Sequence, residues 1–447
     1  MPSERPSPIT SNPAHANDTA IIGAGAAGLF AAISAGRSKL ATTEGTVRAF
    51  DGAKKLGAKI LIAGGGRCNV THDVVRPVDY ASGPDSSRNV IKKVLKAFSV
   101  EDTVAFFQAR GVTLKREDTG KLFPTTDQAR TVLHALLDAA RDAGVALHTQ
   151  HRVTGITRHH TDDQTPSFTV HTSQGDFPAD RVILCTGGLA LPSTGSDGFG
   201  YELARGLGHT VTPTWPALVP LVLPEGHWLT DLKGIALDAE LTLAQASGKA
   251  VHRQAGPMLL THFGLSGPAP MDISRHFSSH YNDPNALRLS ANLLPPHNFD
   301  SLDAELREQA QAHPRRTVLQ AVQAHFPERF AYALLEHAVG LDATTRLAQL
   351  PKDARRRLVH QLTALPLPVV ADRGYRYAEV TAGGVPLSEV TWSTMASKAC
   401  PGLHLAGEIL DVDGRIGGYN FQWAWATGHL AGHAASAVRT GGSCSPA

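Results

Sequence analysis

A glycine-rich run that directly follows a short apolar segment constrains the fold of this chain more than any other feature. Residues 19–22 predict a buried strand, Gly23, Gly25 and Gly28 come next in a G-x-G-x-x-G pattern, and an alanine-rich helix is predicted from Leu29. In this setting the first glycine permits a tight turn, the second lets the backbone approach a pyrophosphate, and the third lets helix and strand pack closely. The run therefore predicts a Rossmann-like nucleotide-binding domain.

Two further segments indicate which nucleotide is bound. A second predicted strand, Val47 to Phe50, ends on Asp51, whose carboxylate can accept hydrogen bonds from ribose hydroxyls. Another glycine-rich signature, residues 407–420, lies far along the chain. A simple nicotinamide dehydrogenase needs only the first signature, whereas the longer FAD is often contacted again by residues that return from the C-terminal region. The two signatures together indicate a flavoprotein.

Two more glycine-containing segments are candidate parts of the same site. Residues 64–66 are consecutive glycines, and Arg67, Cys68 and Asn69 follow them, so that backbone N–H groups stand beside a cation and an amide. Such a loop can surround an anion or a flat ring, although it could also be a plain connector. Residues 181–188 predict a buried parallel strand that ends in a glycine turn, and such a strand commonly returns the chain to the cofactor in flavoproteins.

The chain length of 447 residues exceeds what one hydrophobic core usually supports, so several domains are expected. Changes in residue pattern place the boundaries between a disordered tail, a first nucleotide-binding part, a β-barrel-like substrate domain, a helical module and a second nucleotide-binding part. These segments are residues 1–17, 18–192, 193–300, 301–362 and 363–447.

Composition excludes several functional classes. The formal net charge of +2 gives no global signature of a polyanion-binding protein, so a nucleic-acid surface would have to be local, as in the basic clusters 315–316 and 352–357. The four cysteines form no C-x-x-C pair, which argues against a zinc site or a disulfide framework and favours a reducing cytoplasm. No metal site is expected, and no apolar run is long enough to cross a membrane.

Taken together, these segments resemble the BaiN-like, or YhiN-like, FAD-binding flavoproteins, also described as an aminoacetone oxidase family or NAD(P)/FAD-dependent oxidoreductases. The resemblance covers nearly the whole chain. It implies an α/β fold in which a discontinuous Rossmann-like FAD-binding domain carries an inserted β-barrel and a small helical module. The segments that carry it are residues 23–28, 59–69, 120–124, 261–268, 380–385 and 407–420.

The resemblance also implies a set of residues that contact FAD. Asp51 stands where family members commonly have glutamate, and its shorter carboxylate should still reach a ribose. NAD(P)H is the expected electron donor, although no second G-x-G-x-x-G marks a separate nicotinamide domain. The implied FAD contacts are Gly23, Gly25, Gly28, Asp51, Gly65, Gly66, Arg67, Asn69, Thr186, Gly187, Gly407, Glu408, Asp411, Gly417, Gly418 and Asn420.

The reaction is left open between three hypotheses. The first is reduction of uridine to dihydrouridine in ribosomal RNA by hydride transfer from flavin N5. The second is oxidation or reduction of a small molecule, such as an enone or an amino ketone, and the third is a non-catalytic flavin-carrying factor that binds RNA or protein. For uridine reduction a protein acid must supply a proton, and Cys68 and His262 are the candidates. A buried apolar role for Cys68 and a purely structural hydrogen bond for His262 are the alternatives.

Overall fold

The computed structural model describes residues 18–42, 45–160, 166–279 and 287–436, and the structural statements below refer to these residues. The predicted tail at residues 1–17 and Cys444 lie outside them. In chain order the strands are β1 (Thr19–Ile22), β2 (Val47–Phe50), β3 (Thr71–His72), β4 (Tyr80–Ser82), β5 (Leu114–Arg116), β6 (Lys121–Pro124), β7 (Ala146–His148), β8 (Val153–His160), β9 (Pro166–Thr172), β10 (Gly175–Ala179), β11 (Arg181–Leu184), β12 (Trp215–Ala217), β13 (Leu221–Val222), β14 (Ala236–Gln245), β15 (Ala250–Thr261), β16 (Gly264–Ser266), β17 (Leu287–Asn292), β18 (Leu365–Leu367), β19 (Ala371–Asp372), β20 (Val380–Ala382), β21 (Val390–Thr391), β22 (Ala396–Ser397), β23 (Leu403–Leu405) and β24 (Val412–Gly414).

The α-helices alternate with these strands in the first half of the chain and cluster after residue 298. They are α1 (Ala26–Thr42), α2 (Ala58–Ile62), α3 (Arg88–Ala97), α4 (Val100–Gln108), α5 (Ala129–Asp142), α6 (Phe199–Gly206), α7 (Pro268–Ser278), α8 (Phe299–Ala312), α9 (Val318–Gln323), α10 (Glu328–Ala333), α11 (Lys352–Ala364) and α12 (Tyr419–Ala435). Among the described residues no helix has the length and apolar character needed to cross a bilayer.

The chain divides into two compact units. The first unit comprises the described residues within 1–188, 194–212 and 383–447, and the second comprises those within 189–193 and 213–382. The first unit is therefore built from both ends of the chain.

A parallel sheet forms the centre of the first unit. The strands run in the order β7-β2-β1-β11-β23, all parallel, and β22 and β21 extend the sheet in antiparallel fashion. All four residues of β1 are buried, as expected for a parallel strand covered on both faces. The prediction of an α/β fold with a Rossmann-like domain is confirmed.

Helices α1 and α12 pack against each other in this unit, and small residues allow the close approach. A Cβ added at Gly428 would lie 2.6 Å from the carbonyl oxygen of Ala27. One turn further on, a Cβ at Gly432 would overlap the carbonyl oxygen of Ala31. Only glycine fits at these two positions, so the first and last described helices form one closely packed pair.

An antiparallel sheet forms the second unit, with the strand order β18-β17-β14-β15-β16-β13-β19. Its core is rich in leucine and continues into the helical segment α8 to α11. Several basic side chains of that segment are held by neighbours in the same unit. The Arg355 side chain lies 2.8 Å from a carboxylate oxygen of Asp303, and Arg316 donates to Gln309 at 3.2 Å.

Candidate functional site

Four parallel strands end at the same edge of the sheet, and predicted site segments follow each of them. Ile22 pairs with Phe50 on one side and with Leu184 on the other, and Leu184 pairs with Leu405. The residues that come next are Gly23, Asp51, Cys185 and Ala406. Ligands of open α/β sheets bind outside the carboxyl ends of the strands, so this edge is the candidate nucleotide site.

The three fingerprint glycines have different surroundings. Gly23 has a φ of 93°, and a Cβ there would lie 2.6 Å from the carbonyl oxygen of Cys185. A Cβ at Gly28 would overlap the carbonyl oxygen of Gly23, so this residue lets α1 pack on the turn. By contrast, nothing lies within 4 Å of a Cβ at Gly25. Gly25 therefore faces open space beside the N-terminus of α1, where the helix dipole favours an anion.

The Asp51 carboxylate is held beside this turn by backbone donors. One oxygen accepts a hydrogen bond from Ala24 N at 2.9 Å, and the other accepts one from Ala53 N at 2.8 Å. Each carboxylate oxygen can accept more than one hydrogen bond. Asp51 is thus oriented and keeps acceptor capacity for ribose hydroxyls.

The second glycine-rich loop has an unusual backbone. Gly64, Gly65, Gly66 and Cys68 all have positive φ values between 57° and 85°. No atom lies within 4 Å of a Cβ at Gly65, so the loop exposes its backbone there. Three consecutive glycines suit this loop because residues with a side chain rarely adopt a positive φ.

Asn69 has a buried polar atom without a hydrogen-bond partner. The residue is 8% exposed, and its Oδ1 atom has no partner among the residues that the structure describes. An unpaired buried polar atom costs about 1–3 kcal/mol, which a donor from a bound molecule would offset. FAD carries N–H and O–H donors, so Asn69 fits it.

Arg67 and Cys68 are constrained by the protein itself. An Arg67 nitrogen lies 2.6 Å from a carboxylate oxygen of Glu117, and its guanidinium lies 4.0 Å from the ring centroid of Phe123. Cys68 is 0% exposed, and burial raises the pKa of its thiol to about 12. The sulfur therefore stays a neutral thiol at neutral pH.

The turn after β11 also lies at the carboxyl-terminal edge of the parallel sheet. Gly187 has a φ of 73°, and a Cβ there would lie 2.9 Å from the hydroxyl oxygen of Ser196. Thr186 packs against Gly200, where a Cβ would overlap its hydroxyl. Both residues are half-buried, and their close contacts fix the turn against α6.

The C-terminal signature returns to the first glycine turn. A Cβ at Gly407 would lie 2.7 Å from the Cβ of Ala27 in α1. Glu408 forms an ion pair with Lys59 at 2.6 Å, which joins this segment to the start of the second glycine-rich loop. The structure thereby brings residues from both ends of the chain to one edge, as the two signatures predict.

The remaining predicted contacts hold the loop before α12. Asp411 is 3% exposed and accepts a hydrogen bond from Thr212 at 3.2 Å. Asn420 exchanges two hydrogen bonds with the backbone of Gly414, at 2.8 and 2.9 Å. Gly417 and Gly418 both have positive φ, and a Cβ at Gly418 would lie 2.6 Å from the backbone of Thr71. These contacts shape the N-terminus of α12.

Trp423, in α12, is an additional candidate for a contact with a bound molecule. Its side chain is 1% exposed, and its indole nitrogen has no partner within the described part of the chain. Trp425, two residues later, donates its indole N–H to Val70 O at 2.9 Å. The difference between the two tryptophans has no signal in the sequence, because both stand in the same alanine-rich helix.

His262, the other predicted proton donor, belongs to the second unit. It lies in the turn between β15 and β16, is exposed, and its ring centroid is 5.1 Å from that of Phe263. Within the described ranges, no group of three or more His, Cys, Asp or Glu side chains is arranged to hold a metal ion.

Comparison with known proteins places these features in a family. The profile of the HI0933-like protein Rossmann domain matches residues 17–434. A 3-dehydro-bile acid delta(4,6)-reductase of Clostridium scindens is 34% identical over 423 residues, which cover 94% of this chain and 99% of that protein. A ribosomal RNA dihydrouridine synthase of Escherichia coli is 34% identical over 412 residues, which cover 92% of this chain and 96% of that protein.

A solved structure shows a related fold at lower identity. The 3-ketosteroid delta1-dehydrogenase from Sterolibacterium denitrificans aligns with a TM-score of 0.50 and 12% identity, covering 94% of this chain and 99% of that one. At this identity the likeness concerns the fold alone.

Proposed function

Since the chain belongs to the HI0933-like family of Rossmann-domain flavoproteins and is an FAD-dependent oxidoreductase, we propose that it reduces a carbon–carbon double bond conjugated to a carbonyl group. The leading proposed substrate is uridine in ribosomal RNA, with dihydrouridine as the product. The proposal includes NAD(P)H as the electron donor and a cytoplasmic location.

The proposal is based on the equal sequence identity of this chain to two named enzymes. The bile acid reductase and the RNA dihydrouridine synthase are both 34% identical to this chain over nearly its whole length. Both names describe saturation of a double bond next to a carbonyl, in a steroid ring and in a uracil ring respectively. In the proposed reaction a hydride adds to the double-bond carbon distant from the carbonyl, and a proton adds to the neighbouring carbon. The shared chemistry supports the reaction type more strongly than either substrate.

The residues at the sheet edge fit FAD, as the open space at Gly25 and the unpaired Asn69 oxygen indicate. In this proposal Gly25 and the N-terminus of α1 receive the pyrophosphate, Asp51 receives the ribose, and the loop up to Asn69 receives the flavin. Bound FAD would supply a hydride from N5 to the substrate. The chain must then orient the substrate, exclude water and supply a proton. The other proposed contacts are Gly23, Gly28, Gly65, Gly66, Arg67, Thr186, Gly187, Gly407, Glu408, Asp411, Gly417, Gly418 and Asn420.

His262 and Cys68 are the proposed proton donors, and the structure favours His262 of the two. The His262 ring is exposed, whereas the Cys68 thiol is fully buried and burial raises its pKa to about 12. A group that donates a proton to substrate must be reachable, and histidine is the side chain that most often serves in general acid–base catalysis.

Two substitutions test this assignment. In FAD-loaded protein, His262→Gln should lower kcat by about a hundredfold, in the range of general acid catalysis, while FAD content is retained. Cys68→Ser should retain most activity. The opposite pattern, with wild-type turnover in His262→Gln and a large loss in Cys68→Ser, would assign the role to Cys68.

Mapping of ribosomal RNA tests the leading substrate. Mass spectrometry of RNA from cells with and without the gene should show one dihydrouridine that reverts to uridine on deletion. Purified FAD-loaded protein and NADPH should restore it. RNA maps that are identical in the two strains would exclude ribosomal uridine as the substrate.

A small enone is the second candidate, and the helical segment favours it. Arg355 is paired with Asp303, and Arg316 with Gln309, so these basic side chains are already engaged by the protein. The test is NADPH oxidation by the FAD-loaded protein with a 3-oxo-Δ4 steroid. Rapid oxidation together with an unchanged RNA map would favour the small-molecule reaction.

A further inference from the structure

Arg373, in the second unit, is held by aromatic rings and has unused hydrogen-bond donors. Its guanidinium carbon lies 3.5 Å from the ring centroid of Tyr377 and 4.2 Å from that of Phe263. Among the described residues its side chain has no hydrogen bond or ion pair. A guanidinium that stacks on rings keeps its N–H groups at the edge of its plane. Those donors remain available to a ligand.

The sheet of the second unit brings these three residues together. Strand β13 lies between β16 and β19, and its Val222 pairs with Gly264 on one side and with Ala371 on the other. Phe263 directly precedes β16, and Arg373 directly follows β19. The Gly374 turn, with a φ of 69° and a hydrogen bond from Tyr377 N to Gly374 O, then returns Tyr377 to the guanidinium.

The nearest acidic residue in sequence does not neutralise Arg373. Asp372 accepts a hydrogen bond from the Ser278 hydroxyl at 2.7 Å with one oxygen and from Gly374 N at 2.7 Å with the other. Its carboxylate is thereby directed to these two donors. The two rings contact the planar guanidinium of Arg373 without using its donors.

The surroundings suit a ligand with both an apolar part and an anionic part. Val370 is 49% exposed and Tyr377 is 44% exposed, so apolar surface lies on the same segment as the cation. His262, the proposed acid, is next to Phe263 in the turn. A guanidinium presents paired N–H groups that match the oxygens of a carboxylate or phosphate.

We propose that Arg373, with Phe263 and Tyr377, binds an anionic oxygen group of the substrate. This inference rests on the proposed function, which supplies the substrate. The anion is a phosphodiester if the substrate is RNA, and a carboxylate if it is a small enone. Arg373 would then select substrates by charge and orient them, without taking part in proton or hydride transfer.

Binding to FAD-loaded protein tests the proposal with two pairs of probes. One pair is 3-oxochol-4-en-24-oic acid and its methyl ester, and the other is a fluorescein-labelled single-stranded oligouridylate and its neutral methylphosphonate analogue. Arg373→Gln should weaken binding of at least one anionic probe by about tenfold or more and leave its neutral partner unchanged. The probe whose binding is weakened shows whether the anionic group is a carboxylate or a phosphodiester.

Arg376→Gln is the matched control, because Arg376 is exposed, lies on the same segment and has no side-chain partner among the described residues. It removes the same charge and should change binding by less than about twofold. Arg373→Lys keeps the charge but not the planar group and should give an intermediate loss. It also serves as the test if Arg373→Gln yields no folded protein.

Three results would overturn the proposal: unchanged binding of the anions by Arg373→Gln, equal loss for an anion and its neutral partner, or no binding of either anion by the wild-type protein. NADPH oxidation with the same probes separates this outcome from the proposed function. Arg373-dependent binding without reduction would contradict the function and keep the subsite. Reduction with a KM unaffected by Arg373→Gln would keep the function and remove the subsite.

Discussion

Gly25 is the residue of the first glycine turn that should accept a side chain without loss of the fold. Nothing lies within 4 Å of a Cβ at this position, whereas a Cβ at Gly28 would overlap Gly23. Gly25→Val should therefore fold and lose at least about 90% of its FAD, since the side chain occupies the space proposed for the pyrophosphate. Flavin absorbance per folded protein measures the effect.

Gly206→Val is the control, because a Cβ at Gly206 also has no atom within 4 Å and lies at the end of α6. It should bind FAD normally. Full flavin content in Gly25→Val would show that the pyrophosphate does not approach this residue.

His404 couples folding to pH. It lies in β23, its Nδ1 atom is 2.9 Å from Thr394 O, and burial lowers its pKa from 6.5 to about 4. Between these values the unfolded chain takes up a proton that the folded chain does not, so the free energy of unfolding decreases as the pH falls. The full shift corresponds to roughly 3 kcal/mol.

The substitution His404→Gln tests this coupling, since glutamine can donate a hydrogen bond but does not titrate in this range. Urea unfolding at about pH 7 and about pH 4.5 should show a smaller loss of stability for the variant than for the wild type. An identical loss in both proteins would mean that His404 does not contribute to the pH dependence.

Single residues also show where sequence reasoning reaches its limit. The roles of Gly23 and Gly28 could be inferred because their spacing, between a predicted strand and a predicted helix, indicates a tight turn and a close packing contact. The unpaired oxygen of Asn69 and the unpaired nitrogen of Trp423 could not, since pairing depends on neighbours brought in from distant segments. The stacking of Arg373 on Phe263 joins residues more than a hundred positions apart and has no local pattern.

At the scale of elements, α1 and α12 can pack closely only because Gly428 and Gly432 have no side chains. Gly432→Leu should lower the free energy of unfolding by about 3 kcal/mol or more, because its side chain would overlap the backbone of Ala31. His433→Leu, on the neighbouring exposed position, should change it by less than about 0.5 kcal/mol. Equal stability of the two variants would show that the helices can separate without cost.

Strands and helices that have a clear apolar or alanine-rich pattern could be predicted from the sequence. Elements that contain turn-forming residues were harder to predict. The strand and helix around the glycine turn, β2, β11 and the C-terminal helix follow from apolar runs and alanine-rich stretches. Strand β15 lacks such a pattern, because Gly256 and Pro257 together are typical of a turn. In the structure they lie inside this strand, where Gly256 has a φ of 146° and pairs with Ala239 of β14.

For the whole molecule, a net charge of +2 provides no general attraction for RNA. If ribosomal RNA is the substrate, local phosphate contacts must supply affinity, and kcat/KM should fall by about tenfold or more between about 50 mM and about 200 mM salt. With a steroid enone as substrate it should change by less than about twofold. A reaction on RNA that is insensitive to salt would contradict recognition through phosphates, including the role given to Arg373.

The construction of the first unit from distant parts of the chain sets an order for its assembly during synthesis. Helix α1 leaves the ribosome several hundred residues before α12, which packs against it through Gly428 and Gly432. The segment containing Gly407 and Glu408 is also made long after α1. The face of α1 that packs on α12 therefore lacks its partner throughout the synthesis of the second unit.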